Sequence, residues 1–204
     1  MEIGTQYGNV KTMTNLRGYF QEGERKAIYN SAENLRDRAL IRLLWVTGRR
    51  IREILNIKVS DIDWEMKQII VHLEKKKRDV VDVSYIDDFT VNLLRNYIKY
   101  YRLKNDDFLF KSDYTENKSL TRQRAFQIVR RLAKKAGIES VGGDKPHPHH
   151  FRHSLAVDIA RKMKNPADLR KLQMLLGHSS LSITERYLKF SNEEIRELIE
   201  NIGD

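Results

Sequence analysis

Residues Thr47 to Leu55 read TGRRIREIL, and the fold is best read outward from this stretch. Upstream, Leu35, Ala39, Leu40, Leu43 and Leu44 recur at helical spacing, which predicts a helix over 35–46 with Asn34 as its N-cap. Thr47-Gly48 breaks that helix, and Ile51, Ile54 and Leu55 begin another. A shorter helix is expected over 22–30. Downstream the period changes from helical to alternating. Residues 68–73 and 79–84 are short β-branched runs separated by a cationic tip, Glu74-Lys75-Lys76-Lys77-Arg78, the pattern of a β-hairpin. Helical spacing returns over 87–103, with Phe89, Leu93, Leu94, Tyr97 and Tyr101 on one broad face, and again over 121–136, where Gly137 stops it. Pro146 and Pro148 punctuate a loop. Four more helices are expected at 151–163, 168–176, 180–188 and 192–202. The fold class is therefore mainly α with a small antiparallel β-sheet (α+β), and residues 1–16 read as a polar tail or linker remnant.

Composition narrows the function before any motif is considered. The 204 residues carry a net charge of +10, and the pI is near 9.7. Such an excess suits a polyanionic partner, nucleic acid ahead of a membrane surface. Mean hydropathy is −0.61, and no stretch approaches the roughly 18 apolar residues of a membrane span. With no charged-then-apolar signal at the start, a cytoplasmic, nucleoid-associated location is the expectation. The absence of cysteine excludes a disulfide scaffold, a thiol nucleophile and thiolate metal sites.

The charge is concentrated. Residues 121–136 carry Arg122, Arg124, Arg130, Arg131, Lys134 and Lys135 with no acidic residue among them, while Phe126, Ile128, Val129 and Leu132 supply an apolar side. Such a helix packs on one face and offers cations to a phosphate backbone on the other; a merely solvated basic face is the plain alternative. Lys75, Lys76 and Lys77 at the hairpin tip are open to the same two readings.

Five of the six histidines fall in two short stretches, HPHHFRH at 147–153 and LLGH at 175–178. His149 and His153 are four apart and could share a helical face, as zinc ligands do, but no third ligand stands nearby and Arg152 between them would repel a dication. Imidazole beside guanidinium suits an anion better, since both donate hydrogen bonds. No metal is expected. Arg50, the Lys-rich hairpin, His149, Arg152, His178 and Tyr187 together supply what transfer at a phosphodiester needs. Fixed positive charge holds the non-bridging oxygens, a phenol can attack, and a lysine can protonate the departing oxygen.

Three ordered motifs resemble those of the tyrosine recombinase (phage integrase) catalytic domain, closest in style to Xer-type enzymes. TGRRIREIL resembles the T-G-x-R-[IV]-x-E-L box, HHFRH at 149–153 the H-x-x-R-H box, and LLGHSSLSITERY at 175–187 the block in which a histidine lies nine residues before the nucleophile. The resemblance runs from about Gly18 to Leu188. It implies the recombinase catalytic-domain fold over 17–204, Arg50, His149, Arg152 and His178 around the scissile phosphate, Tyr187 as nucleophile, and Glu53 and His153 in support. It further implies double-stranded DNA as partner and a 3′-phosphotyrosyl intermediate. No metal or ATP is needed, because phosphodiester energy is conserved, and a homotetramer would form by exchange of a C-terminal helix, here 192–202.

Two departures from the family pattern stand out. The usual G-K-G-x-K-x-R turn is replaced by LEKKKRDVVDV at 73–83, which places the general acid nearest Lys75, with Lys76 and Lys77 as alternatives. Complete recombinases also carry a helical core-binding domain ahead of the catalytic one, and only about sixteen residues precede the match here. A topoisomerase-like enzyme and a non-catalytic DNA-binding regulator are the rival expectations. The former would relax supercoils without recombinants, and the latter would bind DNA without an adduct.

Overall fold

The structure, a computed structural model, describes residues 18–73, 81–112 and 118–162. The expected hairpin tip, the three helices expected beyond residue 163, His178 and Tyr187 lie outside the described residues. Six α-helices, a one-turn 3-10 helix (Val59–Asp61) and one small sheet make up the described part: α1 (Glu22–Asn30), α2 (Leu35–Thr47), α3 (Ile51–Leu55), β1 (Ile62–Asp63), β2 (Gln68–His72), β3 (Val81–Tyr85), α4 (Asp88–Tyr101), α5 (Arg122–Lys135) and α6 (Pro148–Lys162).

Local chemistry sets most of the boundaries. The Asn34 side chain accepts the Asp37 N–H at 2.8 Å, satisfying one of the donors left open at the start of α2. Gly48 ends that helix in the left-handed conformation, φ 57°, where a side chain would be strained. Asp87 caps α4 by accepting the Thr90 N–H at 3.0 Å, and Thr121 caps α5 by accepting that of Arg124 at 3.1 Å. α6 begins three residues before its expected start. Pro148 occupies the first helical position, where its missing N–H costs nothing and its fixed φ is already helical. His149 and His150 are therefore helical residues, not loop residues.

α2 is buried nearly all round, through Ala39, Leu40, Ile41, Leu43 and Leu44. A helix of that kind sits at the centre of its domain, and α2 packs against α1, α3, α4 and α6. The sheet has the antiparallel order β1-β2-β3, with Ile69 opposite Ile62 on one side and Ser84 on the other. β2 alternates as a half-covered strand should: Ile69 and Val71 face the core, whereas Ile70 is exposed. The two-residue β1 was not expected, being too short to leave a periodic signal. On α4 the buried face is Thr90, Val91, Leu93, Leu94 and Tyr97, and Phe89 and Tyr101 are exposed. Phe89 instead meets the Tyr29 ring edge-on and lies under the Arg42 guanidinium.

The basic face of α5 is less free than its own sequence implies. Arg131 is ion-paired with the fully buried Asp37, and Lys135 with Glu33. Both acids belong to the α1–α2 junction, so tertiary contact supplies the counter-charges that α5 lacks. Arg130 and Lys134 are exposed. α6 is held by α1 and the residues before it. Arg25, 1% exposed, pairs with Asp158 at 2.6 Å, and the Phe20 N–H donates to Ser154 Oγ at 2.9 Å.

Candidate active site

The centre of the site is the turn between α2 and α3. The Thr47 hydroxyl turns back to the Leu43 carbonyl at 2.6 Å, and Gly48 then reverses the chain. Arg50 is the N-cap residue of α3. Glu53, 1% exposed, grips it twice: one carboxylate oxygen accepts the Arg50 backbone N–H and the other accepts Nη1–H, both at 2.9 Å. A carboxylate at this position closes an open donor at the helix start and orients the arginine head. The Arg50 side chain remains one-fifth exposed, so its remaining donors can reach a ligand.

Arg152 arrives from α6. It is 4% exposed, and its Nη1–H donates to the Gly48 carbonyl at 2.9 Å, across 104 residues of sequence. This bond docks the HHFRH helix against the TGRR turn and brings the two arginine motifs to one place.

His149 precedes Arg152 by three residues and so lies on the same side of α6. Its ring reaches solvent, yet the surrounding protein lowers its pKa. Desolvation is the larger cause, followed by the charges of Arg152, His147, Arg50 and Arg122. The shift favours the neutral imidazole, the form that can accept a proton. Arg122, at the start of α5, is the last of those charges, and its guanidinium rests over the Phe126 ring at 5.3 Å. Arg124 is half-buried and donates to Gln127 at 3.3 Å. His153 is half-buried, with its ring 6.4 Å from that of His149.

Behind the site lies a histidine stack. The His147 and His150 rings are 3.8 Å apart and nearly parallel, at 22°. Together with Asp144 they bring one potential ligand atom each within 4.8 Å of one another. Imidazole lone pairs lie in the ring plane, so two stacked rings do not converge on one ion. His150 Nδ1 also already accepts the His147 N–H at 3.3 Å. The arrangement supports the loop before α6 rather than a coordination shell.

His150, 3% exposed, has its pKa lowered from 6.5 to about 3, first by burial and then by His147, His153 and His149. The folded protein therefore holds it neutral. Its contribution to stability is full above pH 6.5, is lost as the unfolded chain takes up the proton below that value, and continues to fall towards about pH 3. The loss is expected at about 1.4 kcal/mol per pH unit. Urea unfolding at pH 7 and pH 5 measures it. His150→Asn, which keeps an acceptor for the His147 N–H, is expected to flatten that dependence.

Lys75, Lys76, Lys77, His178 and Tyr187 lie outside the described residues. Among those described, Arg50, Glu53 and Arg152 are tied to one turn and the charges of Arg50, Arg152 and Arg122 act on His149, whereas Arg131 is engaged elsewhere. Sequence reading passed over Arg49, which is buried. The doubled arginine in TGRR was its only trace.

The chain matches the phage integrase family over residues 19–194. It belongs to that family. Tyrosine recombinase XerA of Pyrococcus horikoshii is 32% identical over 194 residues, a span covering 94% of this chain and 64% of the relative. A crystal structure of XerA recombinase superposes with a TM-score of 0.72 at 27% identity, over 90% of this chain and 62% of that one. The XerH site-specific recombinase bound to its difH substrate, in a pre-cleavage complex, gives 0.71 at 28% identity, over 89% and 53%. This integrase-family chain thus spans a little under two-thirds of its curated relative. The fold of its described residues is that of the tyrosine recombinase catalytic domain.

Proposed function

We propose that this chain is the DNA-cleaving and rejoining part of a site-specific tyrosine recombinase acting on double-stranded DNA. The observation that carries the reading is the Arg152–Gly48 bond, which anchors a second guanidinium to the turn that carries Arg50, and the charges of both arginines act on His149. Two arginines on one phosphate neutralise its non-bridging oxygens and stabilise the charge that grows during displacement. The names of the relatives support the same chemistry. In this reading the Tyr187 phenol oxygen attacks the scissile phosphorus, and the P–O5′ bond breaks. Lys75, or its neighbours Lys76 and Lys77, protonates the departing 5′ oxygen, while His178 helps the two arginines at the non-bridging oxygens and His149 assists removal of the phenol proton. The resulting 3′-phosphotyrosyl ester is reopened by a 5′ hydroxyl from a partner duplex, so no metal or nucleotide is consumed. Arg122, Arg124, Arg130, Lys76 and Lys77 serve the DNA backbone, and Arg131 does so only if it leaves Asp37. Four copies joined by exchange of residues 192–202 complete the assembly on two duplexes.

The test is a search for a covalent protein–DNA adduct on a denaturing gel, using nicked fragments of the source organism's DNA. Wild type is expected to give an adduct and Tyr187→Phe none; sequencing the trapped DNA then yields the site. DNA binding by wild type without any adduct would sink the reading in favour of a regulator.

A further inference from the structure

Two arginines stand side by side in the TGRR turn, and they do opposite things. Arg50 faces outward from Glu53. Arg49 is 3% exposed, and each of its three guanidinium nitrogens donates to strand β3: Nε to Ser84 Oγ at 2.7 Å, Nη1 to Asp82 Oδ2 at 2.8 Å, and Nη2 to the Val83 carbonyl at 2.9 Å. Its backbone N–H donates to Thr47 Oγ1 at 3.3 Å. The planar fork thus reads two side chains and the carbonyl between them on the edge strand of the sheet. The partners lie 33 to 35 residues away, so the link is tertiary, not a local cap.

The turn is consequently held from three sides. Arg152 binds its Gly48 carbonyl, Glu53 binds its Arg50 backbone, and Arg49 pins it to the sheet. We infer that Arg49 is a positioning residue for the phosphate cradle: by clamping the turn to β3 it sets where the Arg50 and Arg152 guanidinium groups stand. Its own head is spent on protein and does not reach DNA. The inference rests on the recombinase reading for its catalytic consequence, and on the geometry alone for its structural one.

Arg49→Met and Arg49→Lys separate the possibilities. Lysine restores the charge beside Asp82 but cannot span all three acceptors. Single-turnover cleavage is measured on a nicked duplex carrying the site recovered from trapped adducts. A parallel substrate has a methylphosphonate at the scissile position, where a neutral methyl replaces one anionic oxygen and the displacement carries one negative charge fewer. Misplacing a charge cage costs about 10²-fold, so Arg49→Met is expected to fall by that factor against wild type on the phosphodiester. On the methylphosphonate it should stay within about 3-fold of wild type, because one negative charge fewer needs stabilising. Arg49→Lys is expected to unfold nearer the wild-type temperature than Arg49→Met and still cleave slowly. DNA affinity is expected to be unchanged in both variants.

Equal losses on both substrates would reduce Arg49 to a folding residue and overturn the inference, as would full activity of Arg49→Lys. A drop in affinity matching the drop in cleavage would make it a DNA contact, with the same result. Amide exchange needs no activity and decides the structural part even if wild type forms no adduct, an outcome that tells against the recombinase reading alone. In Arg49→Met, residues 47–50 and 81–85 are expected to exchange faster while α4 is unchanged; unaltered exchange there overturns the clamp.

Discussion

Arg152→Ala is expected to slow strand cleavage by about 10²–10³-fold, the usual effect of removing one group that stabilises developing charge. Arg50→Ala should lose a similar factor, and the double variant much less than the product, since the two act on the same oxygens. Their effects on the fold should differ. Arg152 is 4% exposed and its loss leaves the Gly48 carbonyl without that donor, at about 1–3 kcal/mol. Arg50 is partly open to solvent, so its removal should cost less in thermal unfolding. Arg152→Lys keeps a charge but loses the planar fork, and is expected to recover little of the rate. Single-turnover cleavage on the adduct-derived site, with DNA affinity measured alongside, checks all four variants. Cleavage by Arg152→Ala at the wild-type rate would remove this arginine from the mechanism.

The second large effect is expected at Glu53. Alanine there removes both grips on Arg50, the backbone cap of α3 and the bond to Nη1. Losing a helix cap costs about 0.5–2 kcal/mol, and cleavage should fall by at least about 10-fold because Arg50 is no longer oriented. Glutamine retains an oxygen for the capping bond but not the charge. Glu53→Gln is thus expected to keep most of the stability and lose most of the orientation. If the two variants cleaved alike and melted alike, Glu53 would be acting through packing alone.

Both predictions depend on a site whose parts were legible before the fold was known. Arg50, Glu53, His149 and Arg152 stand out in the sequence because their motifs have short internal spacings, and short spacings survive in one dimension. The same holds for the secondary structure. The helix expected over 22–30 is the helix found, and Asn34 and Gly48 bound α2 as expected, because caps are settled by neighbouring residues through hydrogen bonds a few positions long. Where the reading missed, a local rule was misapplied or the element was too short. Pro148 starts a helix it was expected to precede, and β1, with two residues, has no period to detect.

By itself, then, the sequence determined the class of fold, the family, most of the helix ends as far as residue 135 and the residue types gathered for phosphate chemistry. All of these follow from contacts within a few residues or from ordered motifs. Only the tertiary structure decided which of the like charges are free to act. Arg49 and Arg50 are adjacent and chemically identical, yet one is buried against β3 and the other opens to solvent, because successive residues at a turn point in different directions. Arg131 and Lys135 look like DNA contacts until Asp37 and Glu33 arrive from the α1–α2 junction. A guanidinium beside a buried carboxylate is held there by the cost of weakening that carboxylate's pairing, which Arg131 shares with Arg36 at Asp37. That cost depends on which residues meet in space, and the distance between them along the chain does not record it.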